Sequence, residues 1–464
     1  MFSPGRAIFC PGVMEGSLPV PGRLPAVPLV GPAHRTGPMA STHFLSWPSE
    51  RRSNYGLSAK AGRPEPGTEN PGGRAGDPPP EEFRAGRRTV FTGRSTSRST
   101  SRSAGRSVVV HVVHVVPDDV QAAVPSATPT FELGAGEVVI STKLTELLGI
   151  DHPIVSAPMG GVSGGRLAAA VTRAGGLGLV GVSYGDAAFI DEHLPQAAEG
   201  GGVWGAGCVM FTFDERPGLW DKVLGYAPPV IALSFGDAEQ VGRYVSSAAG
   251  SGARVVVQVH DTEQAVVALQ AGASVLVVQG AEAGGHHKTR ATLPLVPAVL
   301  DLVRGAVPVV AAGGFADGRG LAAALALGAD GVMMGTRFAL TVESIATAGF
   351  KTSLTAAGTT DTVNTRSFDV LRGIPWDEVY QARSVSNAFT REWTGRDDDL
   401  AARRADVEPG WTAAVARDDV SQRALFAGEV LDLVKDVRTA AAIVEDTVSE
   451  AETVLRGLAT RIGR

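Results

Sequence analysis

Residues 275–287 read Val275-Leu276-Val277-Val278-Gln279-Gly280-Ala281-Glu282-Ala283-Gly284-Gly285-His286-His287. The apolar run Val275–Val278 is a short strand of the kind buried on both faces, and it breaks directly into a loop of small residues. Ala283, Gly284 and Gly285 carry little or no side chain, so the backbone there can lie against a flat ligand. His286 is then the first side chain able to exchange a proton near neutral pH. Further on, Val307–Ala312 breaks into Gly313-Gly314, and Val332–Met334 breaks into Gly335-Thr336. Three strand ends that open into small residues point to one nucleotide-like cofactor held across neighbouring strands. The chain reads as an enzyme.

Working outward, short Val/Ile/Leu-rich strands alternate with helical segments. The predicted strands are Ile154–Ala157, Leu177–Val180, Val203–Phe211, Val230–Ser234, Arg254–Val259, Val275–Gln279, Val307–Ala312 and Gly331–Met334. Helices are clearest at Leu167–Ala174, Asp237–Ala249, Thr262–Ala271, Pro294–Val303 and Gly318–Leu327. Eight such units predict an α/β protein, a (β/α)8 TIM barrel over 139–344. A doubly wound open sheet is the competitor, but it calls for a glycine fingerprint after the first strand, and Pro158-Met159-Gly160-Gly161 is not that pattern.

Composition sets the rest of the frame. The chain has 464 residues, 44% of them hydrophobic, and a formal charge of −6, which favours neither nucleic acid nor an anionic membrane. Its 2 cysteines give neither a disulfide framework nor a metal pattern, and no apolar run is long enough for a membrane span. A cytoplasmic enzyme with no metal is expected. Residues 1–137 are rich in Pro, Gly, Ser and Arg and lack periodicity, so a disordered extension is expected there. The break in composition suggests that translation begins near Val138 or Val139. Residues 345–464 are expected as a smaller, mainly helical substrate-side region packed on the barrel. Within it, Arg396–Glu408 reads as a linker or exposed loop. Val444, Val448, Ala451 and Leu455 mark one apolar face of a terminal helix, to be covered by a neighbour or by the second subunit of a homodimer.

In barrels of this kind a phosphate often sits over the loops after the seventh and eighth strands, at a helix N-terminus. Gly313-Gly314 and Gly335-Thr336 occupy those two places, with Asp317 and Thr336 as helix-starting residues. Glu282 is expected to organise its loop by accepting backbone N–H groups. His260 and His287 are expected to be structural or exposed, and Lys288 to be solvated.

Taken together these residues resemble the FMN-dependent nitronate monooxygenases, formerly called 2-nitropropane dioxygenases. The likeness runs from about Ser141 to Ser344, through His152-Pro153-Ile154 to Pro158-Met159, Ala174–Leu177, Gln279–His286, Ala312–Gly320 and Gly335–Phe338. Glu282-Ala283-Gly284-Gly285-His286 is its specific part. Thr362–Phe368, Ile374-Pro375-Trp376 and Asn387–Gly395 also look like the C-terminal part of actinobacterial members.

The resemblance implies an FMN whose ring lies against Pro158, Met159, Gly284 and Gly285. Its phosphate would rest on Gly313, Gly314, Gly335 and Thr336, next to Met334 where the last strand ends. Gln258 falls where the family presents a polar or basic residue to the flavin. Where some members carry Asn after the third strand, this chain has Gly207-Cys208. His286 would be the catalytic residue, removing the proton α to a nitro group or holding the nitronate oxygens. The implied substrates are a nitronate or nitroalkane and dioxygen, and the products a carbonyl compound and nitrite. Two alternatives share the barrel: an NAD(P)H-dependent flavin reductase acting on quinones or enoyl thioesters, and a flavin-binding protein with a partner-binding role.

Overall fold

The computed structural model describes residues 140–182, 186–214 and 216–462. The expected extension, 1–137, lies outside the described residues. In chain order the strands are β1 (Ile154–Ser156), β2 (Gly178–Gly181), β3 (Trp204–Val209), β4 (Val230–Ser234), β5 (Arg254–Val259), β6 (Val275–Gln279), β7 (Gly285–His287), β8 (Val309–Ala312), β9 (Gly331–Met334), β10 (Thr362–Thr365) and β11 (Gln381–Val385). Eight of them form a parallel sheet in the order β1-β9-β8-β6-β5-β4-β3-β2. The two ends of this sheet meet. The N–H of Leu177, just ahead of β2, donates to the Ile154 carbonyl at 2.9 Å, and Ser156 N–H donates to the Leu177 carbonyl at 3.0 Å. The sheet is therefore the predicted (β/α)8 TIM barrel.

Its strands read as unbroken apolar runs because both faces are covered. Val155, Leu179, Ala232, Val256, Val277 and Val310 fill the barrel interior, whose base is plugged by Leu144 and Leu148. Their neighbours Ile154, Val180, Leu233, Val257, Val278 and Val309 pack outward on the helices. Side chains alternate along a strand, so Gln258 and Gln279, two positions beyond Val256 and Val277, share the inward face. These two strands thus each bring an amide to the C-terminal mouth. Aspartates start the helices that follow: Asp237 accepts from Gln240 N–H at 2.8 Å, Asp261 from Gln264 N–H at 2.7 Å, and Asp317 from Arg319 N–H at 3.1 Å. Caps of this type contribute about 1 kcal/mol each.

A second, three-stranded antiparallel sheet in the order β10-β11-β7 was not anticipated. It forms because the loop after β6 does not run straight into the helix Thr292–Val303, but sends out β7 to pair with β11. Gly285 lies opposite Arg383, and His286 opposite Ala382. The rest of the C-terminal region is mainly helical. Arg396–Glu408, expected as a linker or loop, is helical as well, within Asp397–Ala402 and Arg404–Ala416. Three aspartates in the first turn of the former suit the helix dipole, and Leu400 is buried among Phe368, Phe389 and Trp393. The helix Ala440–Ile462 buries Val444, Val448 and Ala451 within this chain, largely against the helix Gly318–Ala326. A Cβ on Gly318 would lie 2.4 Å from Ala451 N, and Gly318 N–H donates to Glu450 Oε2 at 2.8 Å. Among the described residues no helix is long and apolar enough to cross a membrane.

Candidate functional site

The Pro158-Met159 turn after β1 is seated by two glycines on neighbouring strands. A Cβ on Gly207 would fall 2.1 Å from Pro158 Cβ, and one on Gly181 would fall 2.5 Å from the Met159 carbonyl. Glycine at 207 is thus required by the packing of Pro158. The same turn meets the end of β9: Ala157 N–H donates to the Met334 carbonyl at 3.0 Å, and Met159 Sδ lies 3.5 Å from where Gly335 would carry a Cβ. Met334 itself turns its side chain into the outer core, so its backbone is what it contributes here.

The glycines of the loop after β6 serve different ends. At Gly284 the position of a Cβ is taken by the backbone of Ala427 and Gly428, at 2.5 and 2.6 Å. Its smallness therefore serves contact with the C-terminal region. Gly285 has φ +69° and open space beside it. Glu282 organises the loop as expected, accepting from Thr292 N–H at 2.9 Å and from Thr292 Oγ1 at 2.7 Å. After β8, Gly313 and Gly314 have φ +93° and +88°, a left-handed pair closed to other residue types. A Cβ on Gly313 would strike the Gly280 carbonyl at 2.8 Å, whereas Gly314 is open towards Glu282. Thr336 Oγ1 accepts Gly428 N–H at 3.0 Å, which leaves its own proton to donate.

Between these corners lies a row of amides. Gln258 Nε2 donates to Gln279 Oε1 at 2.8 Å, and His260 Nε2 faces the same oxygen at 2.7 Å. Gln264 extends the row, accepting His260 N–H at 2.8 Å and donating to Tyr380 Oη at 2.9 Å. His260 is buried, and that burial pushes its imidazole down to about 4, so it stays neutral at neutral pH. Burial likewise raises Tyr380 and lowers His287. Lys288 is anchored rather than simply solvated: its Nζ lies 2.7 Å from Asp261 Oδ2 and 5.5 Å from the Tyr380 ring centre.

His286 stands on β7 in an aromatic enclosure. Its ring stacks on Trp376 at 3.6 Å with an interplanar angle of 8°, and Phe235 and Phe426 flank it. His286 Nε2 lies 2.8 Å from Asp369 Oδ2, and both side chains are almost fully buried. Asp369 Oδ1 is buried with no hydrogen-bond partner among the described residues. Nδ1 of His286 makes no hydrogen bond among the described residues.

Asp369, Gln279 and Phe235 had been given no role from sequence. Asp369 directly follows the stretch Thr362–Phe368, but 83 residues separate it from His286, and no spacing rule joins them. Phe235 is a bulky residue at φ +55°, a backbone state invisible in sequence.

The residues present suit a flavin nucleotide. Consecutive left-handed glycines form a cradle that a Cβ would fill, an amide pair at the mouth matches a pyrimidine edge, and a buried imidazole stands ready for proton exchange. A separate cleft of about 670 Å³ lies elsewhere, between Ser353, Asp361, Asn387 and Arg391.

The sequence profile of the family described as nitronate monooxygenase matches residues 141–197 and 218–450. A nitronate monooxygenase of Pseudomonas aeruginosa is 32% identical over 65% of this chain and 97% of its own length. A (3aS,4S,5R,7aS)-5-hydroxy-7a-methyl-1-oxo-octahydro-1H-indene-4-carboxyl-CoA dehydrogenase of Mycobacterium tuberculosis is 38% identical over 50% of this chain, and the match spans 64% of that protein. Among solved structures, the nitroalkane oxidase of Streptomyces ansochromogenes superposes with a TM-score of 0.57 at 30% identity, covering 68% of this chain and 100% of that one.

Proposed function

The chain belongs to the nitronate monooxygenase family, and we propose that it is a cytoplasmic FMN-dependent oxidoreductase that oxidises alkyl nitronates and nitroalkanes with dioxygen. The products would be a carbonyl compound and nitrite. The observation that carries this reading is the buried pair His286–Asp369, joined at 2.8 Å beside the glycine corners of the barrel mouth. Electron transfer is the chemistry that bound FMN supplies. The chain's own part is to bind and orient. Gly313, Gly314, Gly335 and Thr336 would hold the phosphate; Pro158, Met159, Gly284 and Gly285 would bound the ring, with the Met334 backbone beneath them. Gln258, paired with Gln279, would meet the pyrimidine edge.

His286 handles the proton. With its Nε2 proton directed to Asp369, the lone pair on Nδ1 can take the proton α to a nitro group. The imidazolium that results is stabilised by the buried carboxylate and then faces the nitronate it has made, an anion it can hold by hydrogen bonding. Trp376 keeps the ring plane fixed throughout. The test is the ratio of activities of His286→Asn on a neutral nitroalkane and on its preformed nitronate. The nitroalkane rate should collapse and the nitronate rate fall less; equal losses would instead assign His286 to anion binding alone.

One observation favours a second reading, a flavin reductase acting on an acyl thioester: the 38% identity to a dehydrogenase whose substrate is a CoA ester. Anaerobic bleaching of the flavin absorbance by NADH or NADPH, with no bleaching by a nitronate, would support it over the first.

A further inference from the structure

We propose that His260 is a positioning residue whose tautomer decides whether Gln258 turns a donor or an acceptor to the pyrimidine edge of the bound flavin, an inference that rests on the flavin reading above. His260 is buried, and each of its ring nitrogens faces an amide oxygen. Nε2 lies 2.7 Å from Gln279 Oε1, and Nδ1 lies 3.2 Å from Gln264 Oε1. The Gln264 oxygen is fixed in that place, because it also accepts the His260 backbone N–H at 2.8 Å, and a backbone N–H can only donate. Nδ1 therefore always faces an acceptor. With the Gln279 oxygen turned inward as well, both ring nitrogens need a proton, which is the imidazolium.

Burial disfavours that charged ring. Phe235 stacks on it at 5.3 Å and the Tyr380 ring meets it edge-on at 5.3 Å, while the charged groups that act on it, Lys288 and Asp261, are paired with each other at 2.7 Å. A neutral imidazole carries one proton, and the fixed Gln264 oxygen keeps it on Nδ1. Nε2 is then a lone pair that needs a donor opposite it. Gln258 Nε2, 3.3 Å away, is too distant to offset two lone pairs meeting at 2.7 Å. A half-turn of the Gln279 amide supplies the donor by exchanging its oxygen for its amino group. That amino group now also faces Gln258 across the 2.8 Å contact, so Gln258 offers its oxygen there and turns its own amino group away. One proton is thus read through three amides. The imidazolium leaves the Gln258 oxygen free; the neutral ring leaves the amino group free. On the flavin reading the free group meets N1 and O2 of the pyrimidine edge, which are acceptors, so neutral His260 holds Gln258 in the sense that binds.

The test has two parts. Nitrogen NMR of the FMN-loaded protein reads which ring nitrogen is protonated, the His260 signals being identified by their loss in His260→Gln. The proton should sit on Nδ1 at neutral pH. Equilibrium dialysis then compares FMN affinity in Gln264→Leu, Gln258→Leu and the double variant. Gln264→Leu removes the oxygen that holds the proton on Nδ1, and Gln258→Leu removes the donor itself. Each should weaken FMN binding by about tenfold, the upper range for one hydrogen bond, and the double variant should lose no more than either alone. A proton on Nε2 in a protein that binds FMN overturns the proposal and leaves the flavin reading standing. So does a double variant whose two losses multiply, since Gln264 would then act on its own account. A protein that takes up no FMN overturns the flavin reading and the proposal with it.

Discussion

At the end of β8 the chain offers backbone alone, Gly313 and Gly314 in consecutive left-handed conformations. At β7 it offers one side chain, His286, held by Asp369 and Trp376 from far along the sequence. The first arrangement is specified within a few residues, because only glycine adopts those angles freely. The second exists only after β7 has paired with β11 and brought the C-terminal region over the barrel. A backbone corner can be written locally; an imidazole with a fixed orientation needs the assembled fold.

The largest test of this contrast is His286→Asn. Activity on a neutral nitroalkane should fall by about 10²–10⁴-fold, the range of general base catalysis, with flavin content unchanged in absorbance spectra. Asp369→Asn should follow, costing about 10²-fold on the nitroalkane, the lower end of that range, while FMN affinity holds. If Asp369→Asn instead released the flavin and left turnover per bound flavin intact, the two ends would not be separable.

His260 lies between the two ends and tests the polar row that joins them. Its folded value of about 4 lies below the ordinary 6.5, so the unfolded chain takes up a proton that the folded one refuses. The stability this group contributes is complete above pH 6.5 and is lost as pH falls towards 4, amounting to about 3 kcal/mol. Urea unfolding across that window should show the loss, and His260→Gln should flatten it.

At the phosphate end, Gly313→Val combines a forbidden φ of +93° with a clash against the Gly280 carbonyl. FMN binding should weaken by about tenfold, within the roughly 1–3 kcal/mol such strain costs, as read by equilibrium dialysis. Gly335→Ala should do least. Its Cβ would meet Met159 Sδ and Ala157 Cβ at 3.5 and 3.6 Å, ordinary contacts, so stability should change by no more than about 0.5 kcal/mol. A marked loss of FMN affinity there would sharpen the comparison by placing the phosphate within reach of a single methyl group.

The barrel strands were legible because each is a short apolar run bounded by turn residues, and both faces of the closed sheet accept such runs. The glycine corners were legible for the same local reason. Gly284 shows where local reading stops. Its small size is also demanded by Ala427 and Gly428, which occupy the place a Cβ would take, a contact that no neighbouring residue announces. Asp369 and the β10-β11-β7 sheet were not legible, since both depend on pairing between segments far apart in sequence. Arg396–Glu408 misled through its charge density: one buried Leu400 and a well-placed acidic first turn were enough to make it helical.

Gly318 carries a consequence of another kind. It begins the helix that follows the Gly313-Gly314 corner, and its space is closed by Thr447 and Ala451, while its N–H is taken by Glu450. Growing from the ribosome, the chain emits the Gly313-Gly314 corner more than a hundred residues before the segment that backs it. The helix start behind that corner is therefore braced only once residues 447–451 have emerged. The nascent barrel passes through a stage in which the proposed phosphate corner is already spelled out but not yet braced.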